Sequence, residues 1–261
     1  MVGQISIQEV SKEFVNPDAS KENIHALNGF SLDIEPGTFI SLIGPSGCGK
    51  STLLRLIGGL DNPSSGAIYL DGKKIEKPGS DRGFAFQGSN LFPWLTVEKN
   101  IAFGLKARHI YKDSQKDVGE FINLVGLGGF EKSYPHQLSG GMQQRASLAR
   151  ALVGHPSVLL LDEPLGALDA FTRMNLQDEI LDIWKKYNMT VIMVTHDVDE
   201  AIYMSDQVVV MSARPSKVEI VIDIDLPRSR ARAQDTFQEY RSKILEILNF
   251  GGKIEEVEYY L

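Results

Sequence analysis

The stretch Gly44-Pro45-Ser46-Gly47-Cys48-Gly49-Lys50-Ser51-Thr52 contains the pattern G-x-x-x-x-G-K-[ST]. It follows the apolar run Phe39–Ile43 and precedes a helical pattern. Glycines there let the backbone curl, so that successive N–H groups face inward on phosphate oxygens. The N-terminus of the following helix adds the positive end of its dipole. Lys50 is placed to bridge the β- and γ-phosphates of a nucleotide, and the Ser51 hydroxyl to bind Mg²⁺. A glycine-rich turn without a ligand is the plain alternative. The full pattern at a strand-to-helix junction argues against it.

A second group is Val158-Leu159-Leu160-Leu161-Asp162-Glu163-Pro164. A continuous aliphatic run marks a strand buried on both faces of a parallel sheet. Ligands sit at the C-terminal ends of such strands. Asp162 is then placed to hold Mg²⁺ through water, and Glu163 to polarise a water that attacks a γ-phosphate. Pro164 predicts an extended backbone for Glu163. The third group is Leu138-Ser139-Gly140-Gly141-Met142-Gln143-Gln144-Arg145. Ser139 can cap a helix, and Gly140-Gly141 let a backbone approach a ligand closely.

In order along the chain come the phosphate loop, Gln87 in Phe84-Ala85-Phe86-Gln87-Gly88, the octet around Ser139, Asp162-Glu163-Pro164, Leu165-Gly166-Ala167-Leu168-Asp169 and Thr195-His196-Asp197. This succession resembles the ABC ATPases over essentially the whole chain. The resemblance implies an α/β fold: a P-loop NTPase core of RecA-like type, an N-terminal antiparallel β region and an inserted α-helical subdomain. It implies ATP and Mg²⁺ as ligands. The phosphate-loop residues from Gly44 to Thr52 would bind nucleotide, with Lys50, Gln87, Glu163 and His196 as the catalytic group and Ser51, Gln87 and Asp162 at the metal. His196 matches a switch histidine on the γ-phosphate, and Phe14 stands where the family places an aromatic under adenine. Ser139 and Gly141 would grip the γ-phosphate of a second subunit, and Asp169 would lie across the dimer interface. One copy of each motif implies half of a two-site sandwich, hence a homodimer.

Leu91-Phe92-Pro93-Trp94-Leu95-Thr96-Val97, Pro164–Ala170 and Asp225-Leu226-Pro227-Arg228 are similar to importers of nitrate, sulfonate, taurine and related small solutes. That likeness implies an ATP-hydrolysing energy-coupling subunit with transmembrane permease partners and, indirectly, an extracytoplasmic solute-binding protein. It implies a peripheral position on the cytoplasmic face of the inner membrane. Phe92 and Trp94 would border the groove for the permease; their alternative is the core. The segment after Ile224 is too short for the regulatory domain of sugar-importer relatives. A rival reading, a soluble ABC ATPase acting on nucleic acid or the ribosome, predicts two motif sets or a long coiled-coil insertion. The chain carries one set and a net charge of −7, which argues against nucleic acid as a partner.

The elements that must hold these residues follow from periodicity. Alternation predicts strands over Ile5–Val10, Phe30–Ile34, Ala67–Leu70 and Arg82–Phe86, with a polar loop over Asn16–Asn23. Helical patterns cover Ser51–Leu60, Val97–Lys106, Asp113–Val125, Met142–Val153, Leu176–Tyr187 and Thr236–Phe250. Further strands fall at Val191–Thr195, Gln207–Met211 and Val218–Ile224. Strands alternating with helices indicate an α/β sheet, and the interrupting α stretch an inserted subdomain. The division is 1–88 and 156–225 for the two parts of an ATP-binding core, 89–155 for the helical subdomain and 226–261 for a helical tail. Pro227-Arg228-Ser229-Arg230-Ala231-Arg232 reads as a solvated linker.

A length of 261 residues, 43% of them apolar, suffices for a buried core without disulfide or zinc. The single cysteine, Cys48, excludes an intrachain disulfide and cysteine-rich metal sites, in keeping with a reducing compartment. It is either a thiol activated by Lys50 and the helix N-terminus or an inert packed side chain. Met1–Ser6 lacks the basic end and apolar stretch of a secretory signal. No apolar run approaches the roughly 18–20 residues that span a bilayer.

Overall fold

The computed structural model describes residues 3–16, 22–112, 114–166 and 168–248. The N-terminal part comprises β1 (Ile5–Phe14), β2 (Ile24–Ile34), β3 (Phe39–Ile43), α1 (Lys50–Ile57), β4 (Ser65–Leu70), β5 (Lys73–Lys74) and β6 (Arg82–Ala85). Four helices follow: α2 (Val97–Ile101), α3 (Phe103–Ala107), α4 (Gln115–Leu124) and α5 (Gly140–Leu152). The chain then runs through β7 (Val158–Asp162), α6 (Ala170–Tyr187), β8 (Thr190–Val194), α7 (Val198–Met204), β9 (Gln207–Met211), β10 (Val218–Asp223) and α8 (Asp235–Ile247).

β1 and β2 outrun the alternation that predicts them. Register shifts between Ile7 and Glu13 absorb the breaks in period while pairing continues to Phe14 and Ile24. With β4 and β5 they form an antiparallel sheet in the order β2–β1–β4–β5. Part of the Asn16–Asn23 loop lies outside the described residues. The second sheet has the order β10–β9–β3–β8–β7–β6. Its strands from β9 to β6 are parallel, and β10 closes one edge antiparallel.

Every residue of β3, β7 and β8 is buried. Successive side chains face opposite sides of the sheet. Leu159 and Leu161 pack with the core beneath α2, α4, α5 and α6, while Val158 and Leu160 pack with α1 and the antiparallel sheet. A third cluster holds Ala201 and Ile202 of α7 against β9, β10 and Phe237 and Ile244 of α8. No helix among the described residues is long and apolar enough to cross a membrane.

Further features differ from the periodicity reading, and the helix expected over Val97–Lys106 is split into α2 and α3. α6 begins well before Leu176, because Asp169 caps it, accepting from the N–H groups of Phe171 and Thr172 at 3.1 and 3.0 Å. α7 carries no predicted counterpart; its short span holds too few turns to show a period. Its local signal is Asp197 with Glu200 three residues on, and Asp197 Oδ1 does accept from the Glu200 N–H at 3.1 Å.

The arginines after Pro227 are not a solvated linker. Arg228 donates to the Met204 carbonyl and to Asp206, with its guanidinium 4.6 Å from the Trp184 ring. Arg230 is 5% exposed and donates to the carbonyls of Ile202, Ser205, Ile224 and Leu226, the last three at 2.6, 3.1 and 3.1 Å. The cause is the C-terminal end of α7, whose orphan carbonyls need donors and whose dipole favours a cation. Burial, then the neighbouring Arg228, pulls the Arg230 guanidinium down to about 10, still protonated at neutral pH. Arg230→Ala strips these carbonyls of their donor. It is expected to lower stability by about 2–3 kcal/mol, read as a fall in the urea midpoint at unchanged m-value. An unchanged midpoint would return Arg230 to the solvated class.

Candidate active site

The phosphate-loop pattern forms a curled loop between β3 and α1. Gly47 has φ +72° and Gly49 φ +116°, conformations that side-chain-bearing residues rarely adopt. A Cβ on Gly49 would also stand 3.2 Å from the Ala26 carbonyl oxygen. Lys50 is buried, and its Nζ donates to the carbonyls of Gly44 and Pro45 at 2.9 and 3.1 Å. A cavity of about 240 Å³ opens against Ser46, Gly47, Gly49, Lys50, Ser51 and Thr52, with Glu163 and His196 on its rim. Cys48 turns the other way. Its side chain is 1% exposed in the core between the sheets, and its N–H donates to the Pro45 carbonyl at 3.2 Å. Burial supports the packed reading of this thiol, while the Lys50 ammonium that the activated reading invokes lies 3.9 Å from its Sγ.

β7 delivers its carboxylates beside this cavity. Asp162 is buried and accepts from Ser51 Oγ at 2.8 Å. Burial pushes its carboxyl above the usual range, and the Ser51 hydroxyl only partly offsets that. A buried carboxylate joined to a hydroxyl is a donor pair suited to Mg²⁺. Glu163 departs from the extended backbone expected before proline. Its φ is +47°, because the strand ends at Asp162 and the chain turns while the Glu163 N–H donates to the Val194 carbonyl at 3.0 Å. A left-handed conformation at a non-glycine residue costs about 1–2 kcal/mol. Such strain collects at functional sites.

The turn aims the Glu163 carboxylate between two donors. Gln87 Nε2 donates to Oε2 at 2.7 Å, and His196 Nε2 stands 2.6 Å from Oε1. Three sequence-distant motifs therefore meet at one carboxylate. His196 sits in a bend between β8 and α7 that its neighbours fix. The Asp197 N–H donates to Thr195 Oγ1 at 3.1 Å, and Thr195 donates to Glu200. Arg173 of α6 pairs with Asp197 at 3.3 Å. Glu200, Gln177 and Arg173 escaped the motif reading; only the acidic spacing after His196 hinted at Glu200.

The remaining candidates stand apart from this cavity within the single chain. Ser139 caps α5, accepting from the Met142 N–H at 3.3 Å. Gly141 lies against α6, where a Cβ would come 3.0 Å from Thr172 Cγ2. Asp169 faces its own helix as a cap. Phe14 ends β1 with 40% of its surface exposed and the Lys12 ammonium 5.0 Å from its ring centre.

Residues 27–166 match the family described as ABC transporter. An aliphatic sulfonates import ATP-binding protein, SsuB of Bacillus cereus, is 51% identical over 252 residues, covering 96% of this chain and 98% of that protein. The bicarbonate transport ATP-binding protein CmpC of Synechococcus elongatus is 44% identical over 97% of this chain, a span covering 39% of its own length. A solved dimeric structure of the ATP-binding cassette MJ0796 in a post-hydrolysis state, bound to ADP and Pi, aligns with a TM-score of 0.74 at 32% identity, covering 85% of this chain and all of that one. With a family model matched over more than half of its length and a relative 51% identical across nearly all of it, the chain belongs to the ABC transporter family as an ATP-binding subunit.

Proposed function

We propose that this chain hydrolyses ATP at the cavity between the phosphate loop and Glu163 to drive import of a small anionic solute, of the sulfonate kind, through a separate permease. The observation that carries the reading is the Glu163 carboxylate held between Gln87 and His196 beside the phosphate loop. The names of the sulfonate and bicarbonate relatives support the solute class.

The loop N–H groups and Lys50 bind the phosphates, Lys50 exchanging the carbonyls of Gly44 and Pro45 for phosphate oxygens. Ser51 and Asp162, with Gln87, would hold Mg²⁺, which when bound neutralises charge on the phosphates. Glu163 takes a proton from the water whose oxygen bonds to the γ-phosphorus, as the bond from that phosphorus to the ADP oxygen breaks. Gln87 and His196 hold the carboxylate in place until then; His196 afterwards faces the γ-phosphate. Phe14, exposed at the end of β1, offers a face for adenine.

A second copy of the chain completes the site. Ser139 and Gly141 at the N-terminus of α5 face the γ-phosphate of the partner, and Asp169 lies at the same interface. The permease meets the loop before α2. Trp94 is 70% exposed beside Phe92, which in turn packs on Phe103, and this supports a contact role over a core one. The buried Asn100 holds that loop, accepting from the Phe92 N–H and donating to the carbonyls of Phe92, Leu95 and Thr96. In this reading the chain works on the cytoplasmic face of the membrane, where ATP is available, with a solute-binding protein acting on the far side.

Glu163→Gln is expected to keep ATP binding and lose hydrolysis by about 10²–10⁴-fold, the contribution of a positioned base. Gel filtration of this variant with Mg-ATP should show a dimer, because bound nucleotide links the copies. Unchanged turnover would remove Glu163 from the role. Mixing Ser139→Arg with Lys50→Ala gives mixed dimers in which one site carries both defects and the other neither. Partial recovery of activity is expected, and no recovery under confirmed mixing would count against a shared site.

A further inference from the structure

A continuous set of hydrogen bonds joins the C-terminal segment to the bend that carries His196. Arg232 Nη2 donates to Gln177 Oε1 at 2.5 Å, and Gln177 Nε2 donates to Glu200 Oε1 at 3.3 Å. Glu200 Oε2 accepts from the Thr195 hydroxyl, whose oxygen accepts from the Asp197 N–H at 3.1 Å. The set thus runs unbroken from the guanidinium to the Thr195 hydroxyl and the Asp197 N–H, which belong to the residues on either side of His196. Thr195, Gln177 and Glu200 are buried, and Glu200 is the acid on which the set converges. The Arg232 guanidinium is itself held 4.1 Å from the Tyr203 ring.

Such a set is satisfied only when every member is present. Without Arg232, the buried Gln177 amide loses the bond that orients its Nε2 toward Glu200. Without Gln177, Glu200 keeps one side-chain donor, Thr195, and the bend loses a constraint. The segment also walls the site. A cavity of about 550 Å³ is lined by Glu163 and His196 and also by Arg241 and Leu245 of α8, and Arg241 pairs with Asp199 of α7 at 2.8 Å.

We propose that the C-terminal segment is a positioning element for His196, acting through Arg232, Gln177 and Glu200 on the Thr195 hydroxyl and the Asp197 N–H. The proposal rests on the reading that His196 and Glu163 serve ATP hydrolysis. The three residues touch neither nucleotide nor water in it; they hold the histidine in register with Glu163.

Three full-length variants test it by steady-state ATP hydrolysis. Arg232→Ala and Gln177→Met are expected to lower kcat between about threefold and thirtyfold, the range for positioning through a packed network. KM for ATP should stay close to that of the unsubstituted protein, while the thermal midpoint falls, since each variant leaves a buried polar partner unpaired. Gln177→Glu keeps a partner for Arg232 but turns a donor toward Glu200 into an acceptor, so it should lose kcat although the tail remains tied. A tail that served stability alone would move the midpoint and leave kcat of the folded variants unchanged. Amide exchange over residues 195–200, read by mass spectrometry, should quicken in Arg232→Ala. Wild-type kcat in folded Arg232→Ala and Gln177→Met, or in Gln177→Glu, overturns the proposal; if Arg232→Ala does not fold, the two Gln177 variants decide. Glu163→Gln run alongside separates the failures. If it hydrolyses ATP normally, the reading of the site falls; if it is inactive while the tail variants are normal, only the positioning role falls.

Discussion

The registers of β3, β8 and β7 bring their C-terminal ends level. Leu42 of β3 pairs with Val194 of β8, and Val194 pairs with Asp162 of β7. The residues that follow these strands, the phosphate loop, the His196 bend and Glu163, therefore emerge along one edge. All three strands are buried on both faces, so a slip of one residue would exchange the side chains packed on α1 for those packed on the helical subdomain. The hydrophobic interior thus sets the spacing of the polar site. Parallel pairing is what makes this possible, since it points every strand at the same edge.

At that edge one carboxylate gathers the chemistry. Glu163 is turned into a left-handed conformation, tied by its N–H to Val194 and by its oxygens to Gln87 and His196. The three contacts come from β8, the loop after β6 and the bend after β8. Both side-chain donors lie on connecting segments, while the carboxylate follows directly on a fully buried strand. On the proposed reading, that division suits a base that must be fixed and contacts that must change with nucleotide.

The rest of the molecule braces this arrangement from behind. α7 starts directly after the His196 bend, and its C-terminal carbonyls are taken up by Arg228 and Arg230. Asp169, Ser139 and Asp197 each cap a helix within their own chain. Ser139 and Asp169, proposed for nucleotide and interface roles, thus also stabilise helix starts, by about 1 kcal/mol each.

Much of this was legible before any coordinates. The loop from Gly44 to Thr52, the pair Asp162-Glu163 and the order of the motifs name the phosphate chemistry, because phosphate binding draws on local features: glycine backbones, a helix start and a strand end. Aliphatic runs such as Val158–Leu161 announce buried strands, because burial on both faces removes every polar position. Other properties have no local cause. The turn at Glu163 comes from a hydrogen bond to β8, against the extended preference set by Pro164. Cys48 is packed because the loop turns it into the space between two sheets. The arginines after Pro227 read as solvated, since exposed charge usually is, yet Arg230 is buried by a helix end far away in sequence. Sequence alone determined which chemical groups exist and which strands must be buried. Tertiary structure decided which groups meet, because that depends on strand register and on carbonyls and cavities contributed by distant segments.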